Sequence, residues 1–299
     1  MRAMLIVVVV VASGCRAKVA APIDAGVPEV RRPGATAQQA IDEALALRAR
    51  GDSSTATERL LAAARQARVD EDVTGEAVAL HRAGDTTLDE DRCPDAKARY
   101  LEAQPLYLST NDRARLGLLA NDLGLWAKRC DRDSAVGWFS LAMSYRRDDP
   151  KAFALSANNL GVVFWESMHP EEANLAWLEA LSAAERAGEP AQERKVLANL
   201  SLLWVLIAEG AYEGPGPDEL LAALRDGGSE EDVDAMLERI HDRASPRPID
   251  PASPALAKAR GFFRRAIDAA TRAGEDPIGV CGAFGIYSDR CEVLMPKAP

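Results

Sequence analysis

Three histidines, five cysteines and a surplus of carboxylates are the residues of this 299-residue chain that could carry chemistry. His81 falls in a helical stretch, His169 in a turn and His241 in a charged segment. No partnered nucleophile accompanies any of them, so each reads as a surface or packing histidine rather than a general base. The glycines form no phosphate-binding loop, and neither Gly-x-Ser-x-Gly nor His-Glu-x-x-His occurs. Acidic pairs such as Asp89-Glu90 lie in turns, where solvation accounts for them. Cys93, Cys130, Cys281 and Cys291 lack the close spacing of zinc ligands, and as four thiols they allow three disulfide pairings. The expectation is a protein that is not an enzyme, with no catalytic residues, no cofactor and no metal.

The elements that carry these residues are helices. Hydrophobic residues make up 47% of the chain but aromatics only 5%, and much of the remainder is alanine, the best helix former and a poor strand former. The composition therefore predicts an all-α protein. A formal net charge of −10 without long basic runs argues against a nucleic-acid partner.

Residues 1–14 read as an export signal: Arg2, an apolar run from Met4 to Val11, then the small residues Ala12, Ser13 and Gly14. The run is too short to span a bilayer, which takes about 20 residues. Ala-Ser-Gly-Cys resembles the box at which bacterial lipoproteins are cleaved and acylated, with Cys15 as the lipidated N-terminus. The family prefers a larger aliphatic residue where Ala12 stands. Arg16 follows in place of the aspartate that retains some lipoproteins at the inner membrane, so the resemblance implies the outer membrane, facing the periplasm. Residues 15–36 carry prolines and glycines without helical period and read as a tether, which as a coil of about 20 residues spans roughly 25 Å.

Over residues 37–299 one pattern recurs. Ala157, Leu160, Gly161 and Phe164 on one helix are followed by a turn at Met168–Glu172, then Ala173, Trp177, Ala180 and Leu181 on a second. The same frame finds Gly84 with Ala96, Tyr100 and Ala103, and Leu123-Gly124 with Ala135, Phe139 and Ala142. Ala56, Leu60 and Ala63 fit it more loosely in a pair over Ala37–Arg50 and Thr55–Ala67. The second-helix alanines Ala56, Ala96, Ala135 and Ala173 thus repeat every 38 to 40 residues. This set resembles the tetratricopeptide repeat, whose usual period is about 34 residues. The resemblance implies a right-handed α-solenoid in which each unit touches its neighbours.

A fifth unit is split. Leu197, Leu200, Ser201 and Trp204 keep the first-helix frame, but the matching Ala259, Phe263, Ala266 and Ile267 come after an insertion over about 210–256. Helices are predicted inside it at Pro217–Arg225 and Glu230–Arg243, the latter with Ser229 as N-cap. Residues 209–250 hold twelve acids against four bases, which makes this stretch either a solvated hairpin or an acidic lid or docking element.

The repeat frame also bears on the cysteines. Cys93 and Cys130 lie in the intra-unit turns of consecutive repeats, which stacking brings together, so Cys93–Cys130 and Cys281–Cys291 are the predicted disulfides. In tetratricopeptide proteins the first helices line a concave groove that generally binds peptides or protein segments. Carried over, the groove-facing positions are Asn121, Asp122, Leu125, Asn158, Asn159, Val162, Trp165, Lys195, Asn199 and Leu202. Asp122, Asn159 and Asn199 form a candidate ladder for an extended backbone, although asparagine at such positions also joins helix to helix. The functional expectation is a membrane-anchored interaction adaptor of the bacterial cell envelope, whose partner is another envelope protein or peptide segment. The alternative is a lipoprotein capturing a small ligand or cation beneath the acidic insertion.

Overall fold

The computed structural model describes residues 32–210, 248–277, 279–284 and 290–295. The N-terminal signal and tether up to residue 31, and the helices expected at Pro217–Arg225 and Glu230–Arg243, lie outside the described residues. Among the described residues the structure is all-α. Nine helices precede the insertion: α1 (Ala35–Ala49), α2 (Ser53–Val69), α3 (Val73–Asp89), α4 (Cys93–Ser109), α5 (Arg113–Cys130), α6 (Ala135–Tyr145), α7 (Pro150–Glu166), α8 (Pro170–Ala187) and α9 (Pro190–Ala208). After it come α10 (Pro254–Ala273) and two single turns, α11 (Gly279–Gly282) and α12 (Cys291–Leu294). The return to helix at Pro254 falls inside the span 210–256 assigned to the insertion.

Each helix packs mainly on its sequence neighbours, as in a solenoid of helix pairs. The long period has a simple origin. Helices α2, α3 and α4 are each 17 residues long and are separated by three-residue turns, so one helix and one turn advance the chain by about 20 residues and a pair by about 40. The turns share a mould. A left-handed residue (Gly51, Glu71, Asp91 or Asn111) ends one helix, and the residue after it opens the next. Asp52, Asp72 and Asp112 fill that opening position, and each side chain accepts from the backbone N–H three residues on. Asp149 does the same for α7, and Pro150, Pro170, Pro190 and Pro254 occupy first turns where a missing N–H costs nothing.

Asp72 has a double role: Oδ1 accepts from Gly75 N at 2.9 Å and Oδ2 from Gly34 N at 2.7 Å, which ties the entry of α1 to the start of α3. Asp72→Ala is expected to lower stability by about 1 kcal/mol in urea unfolding. Asp72→Asn, which keeps an acceptor, should recover most of it.

The core follows the repeat frame. Gly84 faces Tyr100, Gly124 faces Phe139 and Gly161 faces Trp177, and in each case a methyl group on the glycine would stand about 2.5 Å from the ring. The split fifth unit closes across the insertion: α9 and α10 form one pair, with Leu197, Leu200, Ala259, Phe263 and Ala266 buried together and Ile267 half-buried. Beyond α10, Val280, Phe284 and Leu294 join this core, with the Phe263 and Phe284 rings edge-to-face at 6.3 Å.

Two disulfides are present, Cys93–Cys130 with Cα atoms 5.9 Å apart and Cys281–Cys291 at 5.6 Å. No helix among the described residues is long and apolar enough to cross a membrane.

Candidate functional site

The first helices of successive units, α3, α5, α7 and α9, are joined by side-chain hydrogen bonds into one layer. His81 on α3 meets Asp122 on α5, Nε2 to Oδ2, at 2.9 Å. Asn159 on α7 donates Nδ2–H to Asn121 Oδ1 on α5 at 3.2 Å, and Ser156 on α7 donates to the same oxygen. Asn199 on α9 donates to Asn158 Oδ1 on α7 at 3.0 Å. An amide suits this duty because it offers donor and acceptor together: on α7 Asn159 bonds back to α5 while its neighbour Asn158 bonds forward to α9.

These contacts fall on the residues of the expected backbone-binding ladder. The Nδ2 groups of Asn159 and Asn199 are engaged with neighbouring first helices, and the Asp122 carboxylate is engaged by His81 and by Asn121 Nδ2. Two further expected groove positions are core: Asn121 is 2% exposed and Leu202 6%. Asp122, Asn158, Asn159, Val162, Trp165 and Asn199 are half-buried, while Leu125 and Lys195 are exposed. Leu155, two turns before Val162 on α7, is exposed as well. The layer thus presents a mixed face, apolar at Leu125, Leu155 and Val162, with amides between and a lysine towards one end.

The sequence reading missed the polar network beneath the other end. Read singly, His81 is a packing histidine, and it is indeed almost fully buried. Its Nδ1 faces Tyr107 Oη at 3.3 Å, and Asp85, one turn along α3, lies with Oδ1 at 4.0 Å from His81 Nε2. Tyr100 donates to Asp85 Oδ1 at 3.1 Å, and Arg82 to Oδ2 at 2.9 Å. Burial, reinforced for Tyr100 by the neighbouring carboxylate of Asp85, drives the Tyr100 and Tyr107 hydroxyls far above their ordinary range, so both remain proton donors. The available signal was the spacing: His81 and Asp85 hold the same frame positions on α3 as Asn121 and Leu125 on α5.

Arg146, at the end of α6, was missed for a different reason. It belongs to no repeat position, yet it is buried between α5 and α7, donating to Ser156 Oγ at 2.8 Å and to Ala152 O at 3.2 Å. Gly117 admits it, since a methyl group there would lie 2.7 Å from Arg146 Cγ. Burial lowers the pKa of the guanidinium against the opposing pull of Asp122 and Asp149.

No protein-family model matches the chain, and no curated protein matches it. Among solved structures it is similar to the Rap conjugation gene regulator of the plasmid pLS20, in complex with the Phr* peptide, at 18% identity and a TM-score of 0.49. That likeness covers 88% of this chain and 66% of the regulator, so the chain spans just under two thirds of that protein's length. It is also similar to BtubC (BKLC) from P. vanneervenii, at 18% identity and a TM-score of 0.44, over 89% of this chain and 96% of that one. At these values neither neighbour decides fold or function, and the assignment of this chain to an all-α solenoid of helix pairs rests on its own packing and repeat frame.

Proposed function

We propose that the chain is a non-enzymatic interaction adaptor of a bacterial cell envelope, exported, lipidated at Cys15, and holding a protein or peptide segment against its first-helix layer. The observation that carries this reading is the layer itself. Four helices from consecutive units are locked side by side through His81–Asp122, Asn159–Asn121 and Asn199–Asn158, and the face they share keeps Leu125 and Leu155 about 40% exposed. Rigid backbone with apolar side chains held outward suits recognition, since little ordering entropy is left to lose on binding. Two disulfides favour the same setting, because such bonds persist in oxidising compartments outside the cytosol.

The test is site-specific photocrosslinking in intact cells, with the reactive residue at Leu125 or Leu155 and, as controls, at the exposed second-helix positions Val69 and Leu175. One envelope protein should be captured from 125 and 155 and not from 69 or 175. Trp165→Ala should weaken that adduct, and Cys15→Ser, which frees the chain from the membrane, should abolish it. Equal labelling from all four positions would overturn the assignment of the face. An adduct that persists in the Cys15→Ser chain would overturn the requirement for an anchor.

A further inference from the structure

The cluster under the α3–α5 junction has the composition and geometry of a cation site, and we infer that His81, Asp85 and Asp122 bind a divalent first-row transition ion. One ligand atom from each of the three lies within 4.8 Å of the others. Around an ion with bonds near 2.0–2.2 Å, adjacent nitrogen and oxygen ligands stand about 3 to 3.5 Å apart. His81 Nε2 is already 2.9 Å from Asp122 Oδ2 and 4.0 Å from Asp85 Oδ1, so rotation of the carboxylates is enough to close the set. His81 and Asp85 come from one face of α3, a single turn apart, and Asp122 comes from the facing helix. A bound ion therefore crosslinks two repeats.

The surrounding contacts match what metal ligands need. An imidazole ligand requires its second nitrogen fixed, and ligating carboxylates require partners on their remaining oxygens. Tyr107 Oη sits at His81 Nδ1, Asn121 Nδ2 donates to Asp122 Oδ1, and Arg82 donates to Asp85 Oδ2. The charge balance also leaves room for a cation. Asp85 is paired with Arg82 at 2.9 Å and with Arg48 at 3.9 Å, so the room lies at Asp122: among the described residues the only basic side chain within ion-pairing distance of it is His81. An ion must displace Tyr100 from Asp85 Oδ1 and break the 2.9 Å hydrogen bond between His81 Nε2 and Asp122 Oδ2, which leaves the imidazole proton on Nδ1, facing Tyr107 Oη. Both carboxylates keep a narrow opening to solvent, with side chains 11% and 16% exposed. One imidazole and two carboxylates suit zinc, and three protein ligands leave a position for water.

The site is tested with the full chain, free of any polyhistidine tag and with both disulfides intact, titrated with Zn²⁺ in a calorimeter. One equivalent per chain is expected, and His81→Gln or Asp122→Asn should each weaken binding at least tenfold. Glu166→Gln, which alters a half-buried ion-paired carboxylate on the first-helix α7, should leave it unchanged. X-ray absorption of the zinc-loaded wild-type chain needs no variant: it should show nitrogen and oxygen neighbours without sulfur. Absence of saturable binding, a sulfur shell, or affinity unaffected by both substitutions would each overturn the site.

Discussion

Replacing Cys93 and Cys130 together by serine is expected to lower stability by about 4 kcal/mol, the loop-entropy value for a closure of this length. The bond joins residues 37 apart and encloses the whole of α4 and α5, whereas Cys281–Cys291 encloses a ten-residue interval and is worth about 3 kcal/mol on the same basis. Its position amplifies the effect. Cys93 opens α4 and Cys130 ends α5, so the disulfide clamps the ends of two helices that belong to consecutive units. Around it Trp126 donates its indole N–H to Cys93 O at 2.8 Å, Lys97 lies over the Trp126 ring at 4.5 Å, and Arg129 reaches back to Leu88 O at 3.0 Å. In a chain where each unit contacts its neighbours, loosening one boundary lets the units on either side unfold separately. Urea unfolding of the double variant should therefore show an earlier midpoint, and hydrogen exchange should quicken first in α3 and α4. A midpoint within experimental error of the wild type would mean that the noncovalent contacts at this boundary already suffice.

How much of this was legible beforehand depends on what set each feature. Small residues at fixed spacing report close helix approach directly, which is why Gly84, Gly124 and Gly161 located the helix pairs and, through them, the cysteine pairing. The turns carried a signal that the sequence reading did not use: Asp52, Asp72 and Asp112 repeat every 20 to 40 residues and are each a residue type suited to capping a helix. The polar layer was not legible. Whether Asn159 bonds a ligand or Asn121 depends on the distance between two first helices, and no residue type encodes that distance. Arg146 illustrates the limit further, since its burial depends on the absence of a side chain at Gly117, 29 positions earlier. His81 lay between these cases. Its i,i+4 partner Asp85 was visible, but Asp122 becomes its neighbour only after α3 and α5 are placed side by side.

The second large effect concerns the glycine on which the clearest repeat is built. Gly161→Ala is expected to destabilise the protein by about 2 kcal/mol, although alanine is the better helix former by about 1 kcal/mol. A methyl group at this position would lie 2.5 Å from both Cδ1 and Nε1 of Trp177. The indole has nowhere to go. It is 2% exposed, packed in the core with Ala157, Ala173 and Ala180, and held from α8 by a hydrogen bond from Nε1 to Asn158 O at 3.1 Å. Relief requires moving α8 away from α7 or breaking that bond, which on its own contributes about 1 kcal/mol. Gly137→Ala on α6 provides the comparison, because nothing lies within 4 Å of the methyl group it would add. Helix propensity acts alone there, so that variant should gain up to about 1 kcal/mol. The two substitutions are chemically identical and differ only in what the new carbon meets. Opposite shifts in the unfolding midpoint would show that Gly161 is required by the approach of Trp177. Shifts of the same sign would mean that the repeat tolerates a wider helix pair, and that the small-residue frame is not what holds this solenoid together.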